Sequence, residues 1–212
     1  MAVFRAQDDK SVERLIFVRH GATLWNEERR YQGQRDTFLN DLGRRQAEQV
    51  AEALAGARAQ FLVSSDLMRA KDTAAIIGES LKLAVVTSSL WRERDYGRWE
   101  GLTRPEIQEL HPEEWRQYRS NPANAAPLGG ETLTELKARA IQAVAWVLGK
   151  YQGQSGVIVS HGGLLRALLA WIANQERPQF HLDNGGISVV EAPSIDKLRI
   201  VIINDTSHLV DR

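Results

Sequence analysis

Two stretches of the chain carry a histidine followed by glycine directly after a run of apolar residues. An Arg-His-Gly tripeptide (19–21) follows the apolar run 15–18, and a His-Gly-Gly tripeptide (161–163) follows the run 157–160. An imidazole can act as a nucleophile or move a proton, and a guanidinium matches phosphate oxygens in a bidentate way. This pattern predicts a phosphate pocket with His20 as its nucleophile.

A further basic residue belongs to the same end of the predicted sheet. The apolar run 61–63 is followed by Ser64-Ser65-Asp66, which are residue types that favour a helix start, and Arg69 falls in the first turn of the helix predicted there. Helix N-termini offer free backbone N–H groups and a partial positive charge, both of which favour an anion. His, Asp and Glu residues are not clustered at metal-ligand spacing, so we expect neither a metal nor another cofactor.

Short apolar runs alternate with helical patterns along the chain, and these elements must position the basic residues. The sequence predicts an α/β fold with three layers, in which helices cover both faces of a mainly parallel central sheet. The predicted helices include one from about Asp41 to Ala55, capped by Asn40, and one to about Lys150 that opens on a capping box at 132–135. The predicted strands are 15–18, 61–63, 83–87, 157–160, 187–190 and 198–203.

The segment from Trp91 to Leu128 has no sustained period and contains Trp99 and Trp115. Short helices are expected around Pro105 to Leu110 and around Pro112 to Arg119. A long insertion in a compact α/β chain is more often a cover over a functional site than a second domain. We therefore predict one domain over residues 1–212 with a cover at approximately 91–130, in which the two tryptophans either line a substrate mouth or pack the cover.

Composition excludes several functional classes. The 212 residues hold 27 Lys and Arg against 27 Asp and Glu, and this balance argues against a general nucleic-acid or membrane-surface binder. The absence of cysteine excludes disulfides and a thiolate nucleophile. The polar start (1–13) lacks a signal-peptide pattern, and the apolar stretch 156–173 is interrupted by His161 and Arg166. We expect a soluble cytoplasmic protein with a small-molecule partner, and a homodimer remains open.

Five motifs together resemble the histidine phosphatase superfamily, in its branch of phosphatases and cofactor-dependent phosphoglycerate mutases. They occur in the family's order and extend over most of the chain: RHGATLWN (19–26), YQGQRD (31–36), SSDLMRAKDTA (64–74), RERDYGRWEG (92–101) and SHGG (160–163). The resemblance implies a phosphoglycerate mutase-like fold. It also implies that His20 attacks phosphorus and becomes a phosphohistidine, and that Glu93 gives a proton to the leaving alcohol. The remaining implied site residues hold or line the phosphate pocket: Arg19, Asn26, Arg69, His161 and Gly162.

Three functions fit this pattern. The first is a metal-independent phosphomonoester hydrolase acting on small phosphorylated metabolites, with a mildly acidic to neutral pH optimum because the leaving alkoxide needs a proton. The second is a phosphoglycerate mutase that depends on 2,3-bisphosphoglycerate, and the third is a non-catalytic module that binds phosphorylated ligands.

Asp66 departs from the family's common proline and is expected to face solvent. Four further residues have no assigned role: His111, Glu131, His181 and His208.

Overall fold

A six-stranded sheet lies at the centre of the computed structural model, which describes residues 13–175 and 180–210. The strands are β1 (Arg14–Arg19), β2 (Phe61–Ser64), β3 (Val85–Thr87), β4 (Gly156–Ser160), β5 (Ile187–Glu191) and β6 (Arg199–Asp205). Their order in the sheet is β3-β2-β4-β1-β5-β6; the first four are parallel, and β5 is antiparallel to both of its neighbours, β1 and β6. The mainly parallel sheet confirms the predicted fold class, while the polar start predicted at 1–13 lies almost wholly outside the described residues.

Helices cover both faces of the sheet because the strands are apolar on both sides. The helices are α1 (Leu24–Glu27), α2 (Asp41–Leu54), α3 (Met68–Leu81), α4 (Arg104–Leu110), α5 (Pro112–Ser120), α6 (Leu133–Lys150) and α7 (Gly162–Ile172). In β1, Leu15 and Phe17 join one buried cluster, which contains side chains of α6 and α7. Ile16 and Val18 join the opposite cluster, which contains side chains of α2 and α3.

The start of α3 differs from the prediction. The helix begins at Met68, and its N-cap residue is Leu67, whose side chain cannot accept a hydrogen bond. The missing acceptor comes from a distant loop, since the backbone N–H of Met68 donates to Oδ1 of Asp36 at 2.6 Å. Ser65 is used in the preceding turn, where its hydroxyl accepts from the backbone N–H of Leu67. The two predicted caps at Asn40 and Thr132 are confirmed.

The third strand is also shorter than predicted. Leu83 follows the C-cap of α3 and is tied to the last turn of that helix, because its backbone N–H donates to the carbonyl of Gly78 at 3.0 Å. Lys82 between them takes the left-handed conformation (φ 55°) that commonly ends a helix. The ladder with β2 therefore pairs only Val85–Thr87.

The cover (residues 91–130) contains α4, α5 and a short 3₁₀ turn at Gly97–Trp99. Trp99 is fully buried and packs against Trp115, Tyr118 and Tyr31, with ring centroids 5.6, 5.1 and 6.2 Å away. Trp99 thus joins α5 to the loop that follows α1. Of the two interpretations considered for Trp99 and Trp115, the structure supports packing.

Candidate active site

The carboxyl ends of β1 and β4 bring the two histidines together. These strands are parallel neighbours, and Arg19 is paired in register with Ser160. His20 and His161 are the next residues in each chain segment, so their rings lie side by side with centroids 5.0 Å apart. Ligand crevices in open α/β sheets occur at this edge.

The environment of His20 fixes which ring nitrogen is free. Nδ1 lies 2.7 Å from the carbonyl oxygen of Gly21, and since a carbonyl only accepts, Nδ1 carries the proton. Nε2 therefore presents a lone pair, towards which Nε of Arg69 donates at 3.3 Å. Burial, with further contributions from the cations of Arg69 and Arg19, holds the pKa of His20 well below its usual range. The ring is neutral near pH 7, as a nucleophile requires.

Arg69 is fully buried in the first turn of α3, where the sequence placed it. Its two terminal nitrogens donate to the carbonyl oxygens of Gly33 at 2.7 Å and Arg35 at 2.9 Å. These bonds fix the guanidinium against the loop that follows α1. Burial lowers the pKa of Arg69 to about 10, so it remains a cation at neutral pH.

Arg19 and His161 carry polar atoms with no partner in the described part of the chain. Arg19 donates from Nη1 to the carbonyl of Leu182 at 2.6 Å, but its Nε and both ring nitrogens of His161 are buried and unpaired. Leaving a buried polar group unpaired costs about 1–3 kcal/mol. Burial, followed by the charge of Arg69, lowers the pKa of His161 well below its usual range. These unpaired atoms beside His20 suit an oxygen-rich ligand.

The carboxylate of Glu93 lies at the N-terminus of α7. Oε2 accepts from the backbone N–H of Gly163 at 2.9 Å, and Oε1 accepts from that of Leu164 at 3.1 Å. The N–H groups at helix starts were predicted to favour the phosphate, and for these two groups that prediction is wrong. Their anionic partner is a side chain from the cover, and it faces the same cavity as His20.

Asn26 and Gly162 have structural roles at the site. Oδ1 of Asn26 accepts from the backbone N–H and the hydroxyl of Thr23, both at 3.1 Å, which caps α1, while Asn26 also lines the cavity. Gly162 is the first residue of α7 and keeps space open beside two guanidinium groups. A Cβ there would lie 3.2 Å from Nε of Arg19 and 3.5 Å from Nη1 of Arg166.

Five of the predicted site residues line a cavity of about 580 Å³, namely Arg19, His20, Asn26, Arg69 and Glu93. His161 and Gly162 are adjacent to this group but are not among the lining residues. The lining also includes Tyr96, Tyr118 and Arg166, which were not predicted from the sequence. Arg166 had a local signal, since it follows Gly162 by four residues and so lies one turn along α7. Tyr118 had none, because only the packing of the cover brings it to the site. The lining comprises Arg19, His20, Trp25, Asn26, Arg29, Arg30, Tyr31, Gln32, Gly33, Arg69, Glu93, Tyr96, Tyr118 and Arg166.

The residues without an assigned role have structural partners. Glu131 forms an ion pair with Arg139 at 2.7 Å and does not line the cavity. His208 lies 3.0 Å from the carbonyl of Gly185, His181 lies beside Asp183, and His111 separates α4 from α5.

The expectation that Asp66 faces solvent is wrong. Its side chain is only 29% exposed, and its two oxygens accept from Nε and Nη2 of Arg92 at 2.8 and 2.7 Å. This pair neutralises the carboxylate and ties the start of α3 to the cover.

Within residues 13–175 and 180–210, no group of three or more His, Asp or Glu side chains is placed to hold a metal ion. The described helices include none that is long and apolar enough to span a bilayer.

Both the sequence and the fold of this chain are similar to those of known proteins. A sequence model of the histidine phosphatase superfamily (branch 1) matches residues 15–206. The phosphoglycerate mutase-like protein 4 of Arabidopsis thaliana is 37% identical over 95% of this chain and 89% of its own length. The glucosyl-3-phosphoglycerate phosphatase of Mycobacterium tuberculosis is 40% identical over 74% of each chain. The solved structure of a mycobacterial glucosyl-3-phosphoglycerate phosphatase with VO3 superposes with a TM-score of 0.82 at 35% identity, covering 92% of this chain and all of the other.

Proposed function

Because the chain belongs to branch 1 of the histidine phosphatase superfamily, we propose that it is a phosphomonoester hydrolase whose reaction passes through a phosphohistidine at Nε2 of His20. One observation carries this proposal. The neutral, buried imidazole of His20 lines the cavity beside Arg19, whose Nε has no partner among the described residues, and the ring of His161, 5.0 Å away, has both nitrogens unpaired as well. Phosphoryl transfer needs little more than a positioned nucleophile and fixed donors around the transferring oxygens.

In the first step Nε2 of His20 attacks phosphorus, and the bond between phosphorus and the ester oxygen breaks. Arg19, Arg69 and His161 hold the oxygens of the transferring group, while Glu93 as a carboxylic acid gives its proton to the leaving alkoxide. In the second step water attacks phosphorus and the phosphorus–nitrogen bond breaks. The carboxylate of Glu93 takes the proton of that water, which returns the site to its starting state.

The substrate class follows from the cavity. Its lining contains five arginines and one carboxylate, and its volume of about 580 Å³ suits a small phosphorylated metabolite. The relatives point the same way, since their names include a glucosyl-3-phosphoglycerate phosphatase and a metal-independent phosphoserine phosphatase. We extend the proposal to a metal-independent cytoplasmic enzyme formed by one domain over residues 1–212, acting on no nucleic acid or membrane.

Phosphate release from p-nitrophenyl phosphate in excess chelator tests the proposal. The parent protein is expected to remain active, and His20→Ala is expected to lose at least about a thousandfold because the nucleophile is gone. His208→Ala is the matched control, since this half-buried histidine lies outside the cavity lining and should keep parental activity.

The three candidate functions predict different experimental outcomes. An inactive parent would favour the binding module, and equal rates for the parent and His20→Ala would reject His20 as the nucleophile. Activity lost to the chelator would refute metal independence. A second assay supplies 3-phosphoglycerate as the substrate. A mutase would convert it to 2-phosphoglycerate only when 2,3-bisphosphoglycerate is present and would release no net phosphate.

A further inference from the structure

The start of α7 is capped by a side chain from a distant part of the chain. His161 at the N-cap position makes no side-chain capping bond. The two N–H groups of Gly163 and Leu164 donate instead to the carboxylate of Glu93, about seventy residues earlier in the sequence. The backbone N–H of Arg94 also donates to Oε1 of Glu93, at 2.8 Å. Three backbone donors therefore fix both carboxylate oxygens.

This arrangement depends on the absence of a side chain at residue 163. A Cβ at Gly163 would lie 2.2 Å from Oε1 of Glu93 and 3.0 Å from its Cδ, far inside the van der Waals contact distance. Gly163 is the second residue of α7, where glycine loses more conformational freedom on folding than alanine would. Close approach of the Glu93 carboxylate explains the need for glycine at this position.

We propose that Gly163 is a positioning residue, which acts with the first N–H groups of α7 to hold the carboxyl group of Glu93 for proton transfer. The inference rests on the proposed function, in which Glu93 gives a proton to the leaving alcohol. When the ester bond breaks, the proton of Glu93 forms the new O–H bond and leaves a carboxylate. The N–H groups of Gly163 and Leu164 stabilise that carboxylate, and it then accepts the proton of the attacking water.

The leaving group distinguishes this role from a general effect on folding. An alkoxide is a strong base and needs a proton as it leaves, whereas p-nitrophenolate is stable without one. Displacing Glu93 should therefore slow hydrolysis of an alkyl phosphate far more than hydrolysis of p-nitrophenyl phosphate. A variant that merely loosened the fold would slow both reactions by the same factor.

The first experiment compares kcat for β-glycerophosphate with kcat for p-nitrophenyl phosphate. In Gly163→Ala this ratio is expected to fall about tenfold or more. Gly149→Ala is the matched control, because Gly149 is likewise one residue from the end of its helix and a Cβ there meets no atom within 4 Å. Glu93→Gln should lower the ratio at least as far, and adding Gly163→Ala to it should lower the ratio no further. An unchanged ratio in Gly163→Ala, or full additivity with Glu93→Gln, would overturn the proposal.

The second experiment needs no change at Gly163, so it still decides the matter where Gly163→Ala fails to fold. In amide NMR spectra, replacing the carboxylate in Glu93→Gln should shift the resonances of Gly163 and Leu164 and leave that of Gly149 in place. Unmoved resonances at both residues would show that Glu93 does not cap α7. This readout requires no turnover, so it separates failure of the inference from failure of the proposed function.

Discussion

The carbonyl of Gly21 determines how the ring of His20 can react. By accepting from Nδ1 it leaves Nε2 with the lone pair, and the nearby guanidinium of Arg69 then disfavours a second proton. The motif 19–21 was enough to identify the histidine and its arginine. It did not reveal the tautomer, because that depends on a backbone oxygen whose direction is fixed only when β1 ends at the sheet edge.

Removing the charge of Arg69 should make His20 easier to protonate. Burial and the Arg69 cation both lower the pKa of His20, so in Arg69→Met that pKa should rise towards its usual range. The neutral ring is lost as the pH falls through the pKa, and therefore the variant should lose its nucleophile at a higher pH than the parent. NMR titration of the His20 ring measures this directly.

Arg44→Met is the control for that titration, since Arg44 lies exposed on α2. It should leave the His20 titration where it is in the parent. A pKa of His20 that is equally low in Arg69→Met would show that burial and the Arg19 cation account for the shift without Arg69.

At the scale of helices and strands, the sequence predicted those features that depend on neighbouring residues. The caps at Asn40 and Thr132 are confirmed. They could be predicted because each capping side chain accepts from an N–H group only three residues further along the chain. The start of α3 was misplaced because its capping oxygen comes from Asp36, more than thirty residues away. The contact between Glu93 and α7 was missed for the same reason.

Arg139 in α6 anchors the segment that carries Glu93. It forms a two-bonded ion pair with Glu131 and donates to the carbonyl oxygens of Leu90, Arg92 and Glu93 at 3.1, 2.6 and 3.0 Å. Both partners of the pair are more than four-fifths buried. Arg139→Met should therefore lower the free energy of unfolding by about 2–4 kcal/mol, because it leaves Glu131 and three carbonyls without their donor.

Urea denaturation measures that loss, and Arg116→Met provides the comparison. Arg116 pairs with Glu113 on the surface of α5, where both side chains are about two-thirds exposed or more, so its loss should cost less than about 1 kcal/mol. Equal stabilities for the two variants would contradict an anchoring role for Arg139.

For the molecule as a whole, the net charge of zero conceals a concentrated positive site. Five of the arginines line one cavity, whose described lining contains a single carboxylate. Strand ends revealed Arg19, His20 and His161, since those residues follow their strands directly. Tyr96 and Tyr118 complete the site only through the packing of the cover, which local patterns do not encode, whereas the spacing of Arg166 after Gly162 on α7 was a local signal.

Because this cavity is lined by five arginines, the folded protein should become more stable when an oxyanion binds in it. Inorganic phosphate supplies acceptors for the unpaired atoms of Arg19 and His161 and compensates the repulsion among the arginines. At a free concentration of a hundred times Kd, binding should add about 2.7 kcal/mol to the free energy of unfolding. For a chain of this size the corresponding rise in Tm is roughly 5–10 °C. Thermal denaturation at neutral pH, against sodium chloride of matched ionic strength, separates specific binding from screening. Arg19→Met should show a much smaller rise and Arg44→Met the full one; the same rise in all three proteins would place the bound phosphate outside this cavity.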